Sequence, residues 1–342
     1  MTTASHHVSL ASLGWQDFFA DQLDAADAAL VPLRIATVHR ARMTAVSPTG
    51  PVRLMLAPGT NTSEYAVGDW VLAEAGSGLL IRRLDRKTLL KRRTEGGRVP
   101  QLIAANVDTL FIVTSCNEDL NPARIERYLT LANEAGMNPV IVLTKADRVP
   151  DVAPYRDQVA GLQRGVDVVA LDATSAQAAQ VLAPWCGLGQ TVALVGSSGV
   201  GKSSLLNVLA DKGEDDAQLT GSVRDSDAKG RHTTTSRSLH AIASGAQVID
   251  TPGMRSLNIS DAAAGLEQLF TEITELAPHC RFRDCTHTHE PGCAVQAALA
   301  RGEIDASRVD RWRKLADENR ANTPVQTGPR GNRTTLPTGR RR

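Results

Sequence analysis

The sequence predicts three domains in series: a small N-terminal β-barrel, a central α/β domain built around a P-loop, and a C-terminal α-helical domain that holds a metal. Three observations predict it. Thr191–Ala210 reads TVALVGSSGVGKSSLLNVLA, an apolar strand, a G-x-x-x-x-G-K-S loop and a helix-patterned run in the order a P-loop requires. Between Leu33 and about Arg98 short β-patterned runs alternate with turn signals. Near the C-terminus three thiols and a histidine fall between Cys280 and Cys293, a spacing suited to a closed metal site.

A chain of 342 residues exceeds what one core usually serves. Hydrophobic residues make up 42% and charged residues 22%, ordinary for a water-soluble chain, and no apolar run approaches the ~18 residues of a membrane span. The opening MTTASHHVSLASLGW lacks the basic, apolar and small-residue sections of an export signal, so a cytoplasmic protein without a membrane partner is expected. Cys116 and Cys186 stand apart while Cys280, Cys285 and Cys293 cluster. That pattern suits a metal site in a reducing compartment better than a disulfide framework.

The net charge of +1 does not itself indicate nucleic acid, but local charge is uneven. From Arg82 to Arg98 stand Arg82, Arg83, Arg86, Lys87, Lys91, Arg92, Arg93 and Arg98 against Asp85 and Glu95. The tail, residues 321–342, has Arg330, Arg333, Arg340, Arg341 and Arg342 among Pro, Gly, Asn and Thr, a composition expected to be disordered. Both segments read either as solvated surface or as an electrostatic footprint for a phosphate backbone.

In chain order, residues 1–32 form a predicted helical extension, with Leu10–Leu30 as a helix that places Trp15, Phe18, Phe19 and Leu23 on one face. Residues 33–98 form the barrel, from runs at Arg34–Val38, Val52–Leu56, Asp69–Glu74 and Leu79–Leu84 separated by Pro48-Thr49-Gly50, Pro58-Gly59 and Gly76-Ser77-Gly78. Several short strands in so few residues suggest an OB-fold. Its only aromatics are Tyr65 and Trp70, so phosphate contacts from Arg82–Arg98 are expected to outweigh base stacking.

Residues 99–261 read as α/β. Thr109–Val113 is an apolar strand, Pro122–Ala135 a helix ending at Gly136, and Pro139–Leu143 a strand running into Thr144-Lys145-Ala146-Asp147. A T-K-x-D at the end of a buried parallel strand reads guanine. Asp147 accepts from N1–H and the exocyclic amine, which adenine cannot satisfy, while the stem of Lys145 covers the base. A further strand, Val166–Leu171, leads to Asp172-Ala173-Thr174, where Ala173 is a candidate base-loop residue and a plain connection is the alternative. In the P-loop, Gly196, Ser197, Ser198, Gly199, Val200, Gly201, Lys202, Ser203 and Ser204 are the phosphate-binding candidates. Backbone N–H groups and the helix N-terminus face the phosphates, Lys202 reaches the β/γ-phosphates, and the Ser203 hydroxyl binds Mg²⁺.

The polar run Asp211–Gly230 precedes Arg231-His232-Thr233-Thr234-Thr235, the look of a switch I segment in which one Thr, here assigned as Thr234, ligates Mg²⁺. Gln247–Ile249 is a strand ending in Asp250-Thr251-Pro252-Gly253, with Asp250 suited to the Mg²⁺ shell and the Gly253 N–H to the γ-phosphate. Met254 follows, where Ras-like enzymes carry the glutamine that orients water. His232 is the nearest candidate for that task, and an exposed loop histidine is the competing reading. The guanine-reading TKAD precedes the P-loop, the reverse of the standard GTPase order. The domain is therefore circularly permuted, and the D-T-P-G segment leads almost directly into the C-terminal domain.

That domain, residues 262–320, opens with a predicted helix at Ala262–Leu276. The string C-x4-C-x-H-x5-C then offers Cys280, Cys285, His287 and Cys293 as a tetrahedral, structural Zn²⁺ site with no open position. His289 is the alternative to His287, and metal-free buried thiols are the alternative to zinc. Helices at Ala294–Arg301 and Arg308–Glu318 are predicted around the metal.

Barrel, TKAD, GSSGVGKSS, GRHTTT, DTPG and the C-x4-C-x-H-x5-C string followed by Ala294-Val295, in this order, resemble the ribosome small-subunit-dependent GTPase A family, RsgA, over roughly residues 33–318. The resemblance implies an OB-fold, a permuted P-loop GTPase domain and an α-helical zinc-binding domain. It implies GTP hydrolysis stimulated by the 30S subunit during its late assembly, with 16S rRNA as the binding surface and GTP/GDP with Mg²⁺ and one structural Zn²⁺ as cofactors; a monomer is expected. It supports Gly196–Ser204, Thr144, Lys145, Asp147, Asp250–Gly253, the cluster Thr233–Thr235 and His232 as nucleotide-site residues; Lys202, His232 and one threonine of the cluster, with Thr234 chosen over Thr233 and Thr235, are the catalytic candidates. The Asp172–Thr174 loop departs from the family's usual Ser-Ala. Two other classes stay open on the residues alone: a P-loop ATPase or kinase, and an RNA-binding assembly factor that scarcely hydrolyses its nucleotide.

Overall fold

A computed structural model describes residues 9–92, 100–210, 237–251 and 258–323, together with the backbone of 326–327 and 333–334. The barrel is built from β1 (Leu30–Val38), β2 (Met43–Ser47), β3 (Gly50–Arg53), β4 (Trp70–Glu74) and β5 (Leu80–Arg83), in the order β3-β2-β1-β4-β5. All the pairs are antiparallel. A parallel bridge between Met55 and Leu79 joins the two ends of the sheet, so a five-stranded Greek-key closure replaces two open edges. Leu33, Ile35, Met43, Ala45, Leu54, Val71 and Ala73 fill its interior.

The expected helix over Leu10–Leu30 is not formed. The chain turns at Ser9–Gly14, makes a single turn α1 (Asp17–Ala20) and a 3₁₀ turn at Ala25–Asp27, and enters β1 at Leu30. Competing contacts explain the difference: the Leu13 carbonyl accepts from the Arg34 guanidinium, and Trp15 and Phe19 pack on Trp70 with ring centroids 4.8 and 5.9 Å away. The apolar residues thus serve a turn on the barrel wall. Trp70 is fully buried there and offers no face to a base.

The basic run also differs from a free cationic surface. Arg82 is paired with Asp27, Arg86 donates to both oxygens of buried Asp69 at 2.6 and 2.7 Å, and Lys87 lies 3.6 Å from Asp108. Arg82 and Lys87 tie the barrel to the segments on either side of it, and the Arg86–Asp69 pair braces the barrel itself. Arg93 and Arg98 lie outside the described residues. The run continues into β6 (Leu89–Arg92), which pairs antiparallel with β7 (Gln101–Ala105).

Beyond this hairpin lies a sheet of β8 (Thr109–Ser115), β9 (Asn138–Thr144), β10 (Asp167–Ala170), β11 (Thr191–Val195), β12 (Ser238–Ala241) and β13 (Gln247–Asp250), ordered β10-β9-β8-β11-β13-β12 among the described residues. Every pair is parallel except β12 with β13. β8 (TLFIVTS) and β11 (TVALV) are buried throughout, as strands covered on both faces must be. The flanking helices are α2 (Pro122–Ala135), α3 (Ala153–Ala160), α4 (Gln177–Leu182) and α5 (Lys202–Leu209). α2 starts where the Asn121 side chain accepts from the Arg124 N–H, with Pro122 in the first turn, and ends at Gly136 with φ 71°. Strand order reverses between β8 and β11, and ligands of such sheets bind at that crevice, beyond the carboxyl ends of the strands.

The C-terminal region packs on α2. The predicted helix Ala262–Leu276 is broken into α6 (Ala263–Leu269) and α7 (Thr271–Thr274) by Phe270. Phe270 leaves helical geometry and buries its ring beneath the Arg308 guanidinium, 4.1 Å from the ring centroid. α8 (Ala294–Ala300) and α9 (Ala306–Asn322) follow, the latter longer than expected because Asp305 caps it through Ser307 and Arg308 N–H groups. In the tail expected to be disordered, β14 (Gln326–Thr327) pairs antiparallel with β15 (Arg333–Thr334).

Candidate functional site

The P-loop leaves β11 at the switch point and enters α5. Gly196 has φ 143°, and a Cβ there would meet the Val113 carbonyl oxygen at 2.1 Å, so only glycine lets the loop pass this close to β8. Lys202 Nζ donates to the Gly196 and Ser197 carbonyls at 2.9 and 2.6 Å, which folds its stem over the loop. Ser203 is exposed at the loop rim and Ser204 is half-buried in the first turn of α5.

β9 stands two strands from β11, and its TKAD terminus reaches the same sheet edge. Thr144 is fully buried, its hydroxyl donating to Val200 O at 2.6 Å, with Thr114 O 3.0 Å away. Its side chain ties the TKAD end of β9 to the P-loop. Lys145 adopts φ 56°, which turns the chain outward, and Asp147 is left exposed, 3.8 Å from Arg148. Ala173 is buried where a side chain on Gly201 would meet its Cβ at 3.3 Å. Asp172 accepts from the Thr174 N–H and hydroxyl at 2.8 and 2.7 Å, and these bonds lower its carboxyl below the usual range. Asp172–Thr174 is thus an ordered turn beside TKAD.

At the end of β13, burial raises the Asp250 carboxyl while His240 and Lys202 oppose the shift. Lys202 and Asp250 are thus near enough to act on each other electrostatically. Thr251 is buried and donates to Leu194 O at 2.5 Å, pinning the strand end to β11. His232, Thr234 and Gly253 lie outside the described residues, as does Met254.

Two neighbours of the loop are absent from the motifs. Arg124 Nη1 donates to Ser197 Oγ at 2.5 Å. One turn later Tyr128 is buried against the Gly196 backbone, and burial pushes its phenol up to about 12. The available signal was a cation in the first turn of α2, where the helix dipole disfavours it.

The second constellation is the thiol cluster. The ligand atoms of Cys280, Cys285, His287 and Cys293 all lie within 4.8 Å of one another. Cys280 and Cys293 sulfurs are 3.9 Å apart and stand 3.4 and 3.5 Å from His287 Nδ1. A tetrahedral Zn²⁺ with Zn–S near 2.3 Å and Zn–N near 2.0 Å has edges of about 3.8 and 3.6 Å, so the donors fit. The Ala294 and Gln296 N–H groups in the first turn of α8 donate to Cys280 and Cys293 Sγ at 3.3 and 3.4 Å, fixing both sulfurs in the cluster. His289 is exposed and bonds Thr288 instead; of the two histidines, His287 is the one in the cluster.

A family model described as RsgA GTPase matches residues 83–260. The chain belongs to the RsgA GTPase family. A Mesorhizobium japonicum protein named small ribosomal subunit biogenesis GTPase RsgA is 64% identical over 334 residues, covering 98% of this chain and 96% of that one. A Streptomyces coelicolor protein of the same name is 41% identical over 93% of this chain and 89% of that one. Among solved structures, YjeQ from Thermotoga maritima superposes with a TM-score of 0.60 at 27% identity, over 84% of this chain and 98% of that one. YloQ, described as a circularly permuted GTPase, superposes at 0.59 with 24% identity over 89% and 100%, a likeness of fold. As an RsgA-family member the chain is a GTP hydrolase whose cofactors are guanine nucleotide and Mg²⁺. The ATPase and kinase readings fall away, and the permuted order read from TKAD and the P-loop holds.

Proposed function

We propose that this protein hydrolyses GTP while bound to the small ribosomal subunit, in late 30S assembly, with the subunit stimulating turnover. The observation that carries the site is the Thr144–Val200 hydrogen bond, which supports one nucleotide spanning TKAD and the P-loop. The names of the relatives supply the ribosomal context.

Asp147 selects guanine and Lys145 covers it, with Ala173 at the base loop. Gly196–Ser204 receives the phosphates, and Lys202 neutralises the β/γ end. Ser203, Asp250 and Thr234 are the residues that would hold Mg²⁺, which when bound screens the charge of the β- and γ-oxygens. Gly253 offers its N–H to the γ-phosphate and His232 positions water. Cys280, Cys285, His287 and Cys293 would hold one Zn²⁺, which ties the knuckle between α7 and α8. The protein works in the cytoplasm as a monomer, and 16S rRNA is the surface it binds. No helix among the described residues is long and apolar enough to cross a membrane.

The test is GTP turnover with and without purified small subunits across a salt series. Stimulation that fades steeply with salt is expected, because phosphate-backbone docking releases counterions. Equal turnover with and without subunits overturns the proposal. Asp147→Asn is expected to shift preference from guanosine to xanthosine nucleotides, and unchanged preference removes Asp147 from the base site.

A further inference from the structure

Arg124 is a cation placed where its own helix gives it no support. It lies in the first turn of α2, beside the positive end of the helix dipole, is exposed, and makes no ion pair among the described residues. Its described side-chain bond is the one from Nη1 to Ser197 Oγ, 2.5 Å long. Tyr128, four residues on and so on the same helix face, abuts Gly196. α2 therefore reaches the first two residues of the phosphate loop with two side chains.

Lys202 meets the same two residues through their carbonyls, with Nζ 2.9 Å from Gly196 O and 2.6 Å from Ser197 O. A P-loop lysine reaches the β/γ-phosphates, so its ammonium marks that end of the cradle. Ser197 thus holds Lys202 on its carbonyl and Arg124 on its hydroxyl. Two cations gathered on one residue repel each other, and an anion between them reverses the sign of that interaction. The planar fork of a guanidinium matches phosphate oxygens better than a single hydroxyl.

We propose that Arg124 is a catalytic residue, a guanidinium supplied from within the chain that leaves Ser197 Oγ and binds the γ-phosphate of GTP. This rests on the reading of the loop as the GTP site. In the reaction a water oxygen bonds to the γ-phosphorus as the bond from that phosphorus to the β–γ bridging oxygen breaks. GDP and inorganic phosphate leave, and the proton of water passes to solvent or phosphate. Arg124 transfers no proton; it stabilises charge on the equatorial oxygens. Such a contribution suits a chain with Met254 in place of the usual glutamine.

The experiment uses the full chain with Arg124→Ala and Arg124→Lys. It reads GDP affinity from a fluorescent GDP analogue, affinity for GDP with aluminium fluoride as a mimic of the transferring phosphoryl group, and kcat and KM for GTP. Arg124→Ala is expected to keep GDP affinity within about threefold, lose about tenfold or more in kcat and in aluminium fluoride binding, and recover partly in Arg124→Lys. A kcat loss below about fivefold overturns the proposal, as does a GDP affinity that falls in step with kcat, which would make Arg124 a strut of the loop. Absence of guanine-nucleotide binding in the parent protein overturns the GTP reading of the loop itself, whereas a defect seen only in the variants bears on Arg124 alone.

Discussion

Two arginines, one at each end of the GTPase domain, are buried over an aromatic ring, and they differ in what satisfies them. Arg34, on β1 of the barrel, lies 5.7 Å from the Trp70 ring centroid. It donates to the Leu13 carbonyl, to Asn106 O at 3.2 Å and to Thr191 Oγ1 at 2.8 Å. Asp108 and Asp69 act on it only at range, and burial pulls its pKa down to about 10. Arg308, on α9, lies over Phe270 and meets carboxylates directly, Glu126 at 2.6 Å and Glu272 at 2.7 Å. Fully buried Glu126 also accepts from Arg311 at 2.9 Å. The barrel joint is a cation among dipoles, whereas the C-terminal joint is a set of mutual counter-ions. Removing one partner therefore exposes different debts: dipoles left unpaired in the first case, whole charges in the second.

The sharpest break of this contrast is Glu126→Ala. It leaves Arg308 and Arg311 without their shared carboxylate, and loss of one partner of a buried pair costs about 3–5 kcal/mol. Equilibrium denaturation should show that loss, concentrated in the transition of the C-terminal region. A change under about 1 kcal/mol would mean that the joint is held by apolar packing alone, in the manner of an exposed pair. Arg34→Met comes next. It removes the cation but leaves only carbonyls and a hydroxyl unsatisfied, so about 2–3 kcal/mol is expected, read from the same denaturation curve. A larger loss than that of Glu126→Ala would invert the comparison.

These joints were the least legible part of the chain. The P-loop, TKAD, D-T-P-G and thiol cluster could be read because their chemistry is local: each needs particular residue types a few positions apart. Glu126 and Arg308 are 182 positions apart, and pattern reading assigns isolated charges to solvent. The same habit took Arg82, Arg86 and Lys87 for an open basic surface, though each is paired within the fold. The apolar strands β8, β9 and β11 were visible as runs, but β2, β6, β7 and β12, short and only partly apolar, were not. Around the loop, Arg124 and Tyr128 went unread for the same reason, since their helix precedes Gly196 by more than 60 positions.

The smallest effect expected is that of Glu318→Gln, and it asks how far the counter-ion character of the second joint extends. Glu318 Oε1 stands 2.6 Å from Arg127 Nη1 and accepts from the Ile259 N–H at 2.9 Å. Both side chains keep some solvent, 30% for Arg127 and 21% for Glu318, so water shares in their stabilisation. Glutamine retains an oxygen that can accept from both donors and loses only the charge. The cost should stay below about 1 kcal/mol, and raising the salt concentration should shrink the difference between parent and variant. A salt-independent loss near that of Glu126→Ala would extend the buried ionic network from Glu126 along α2 to the end of α9. A small, screened loss confines it to Glu126, Glu272, Arg308 and Arg311, four charges of balanced sign centred on the shielded Glu126–Arg308 pair.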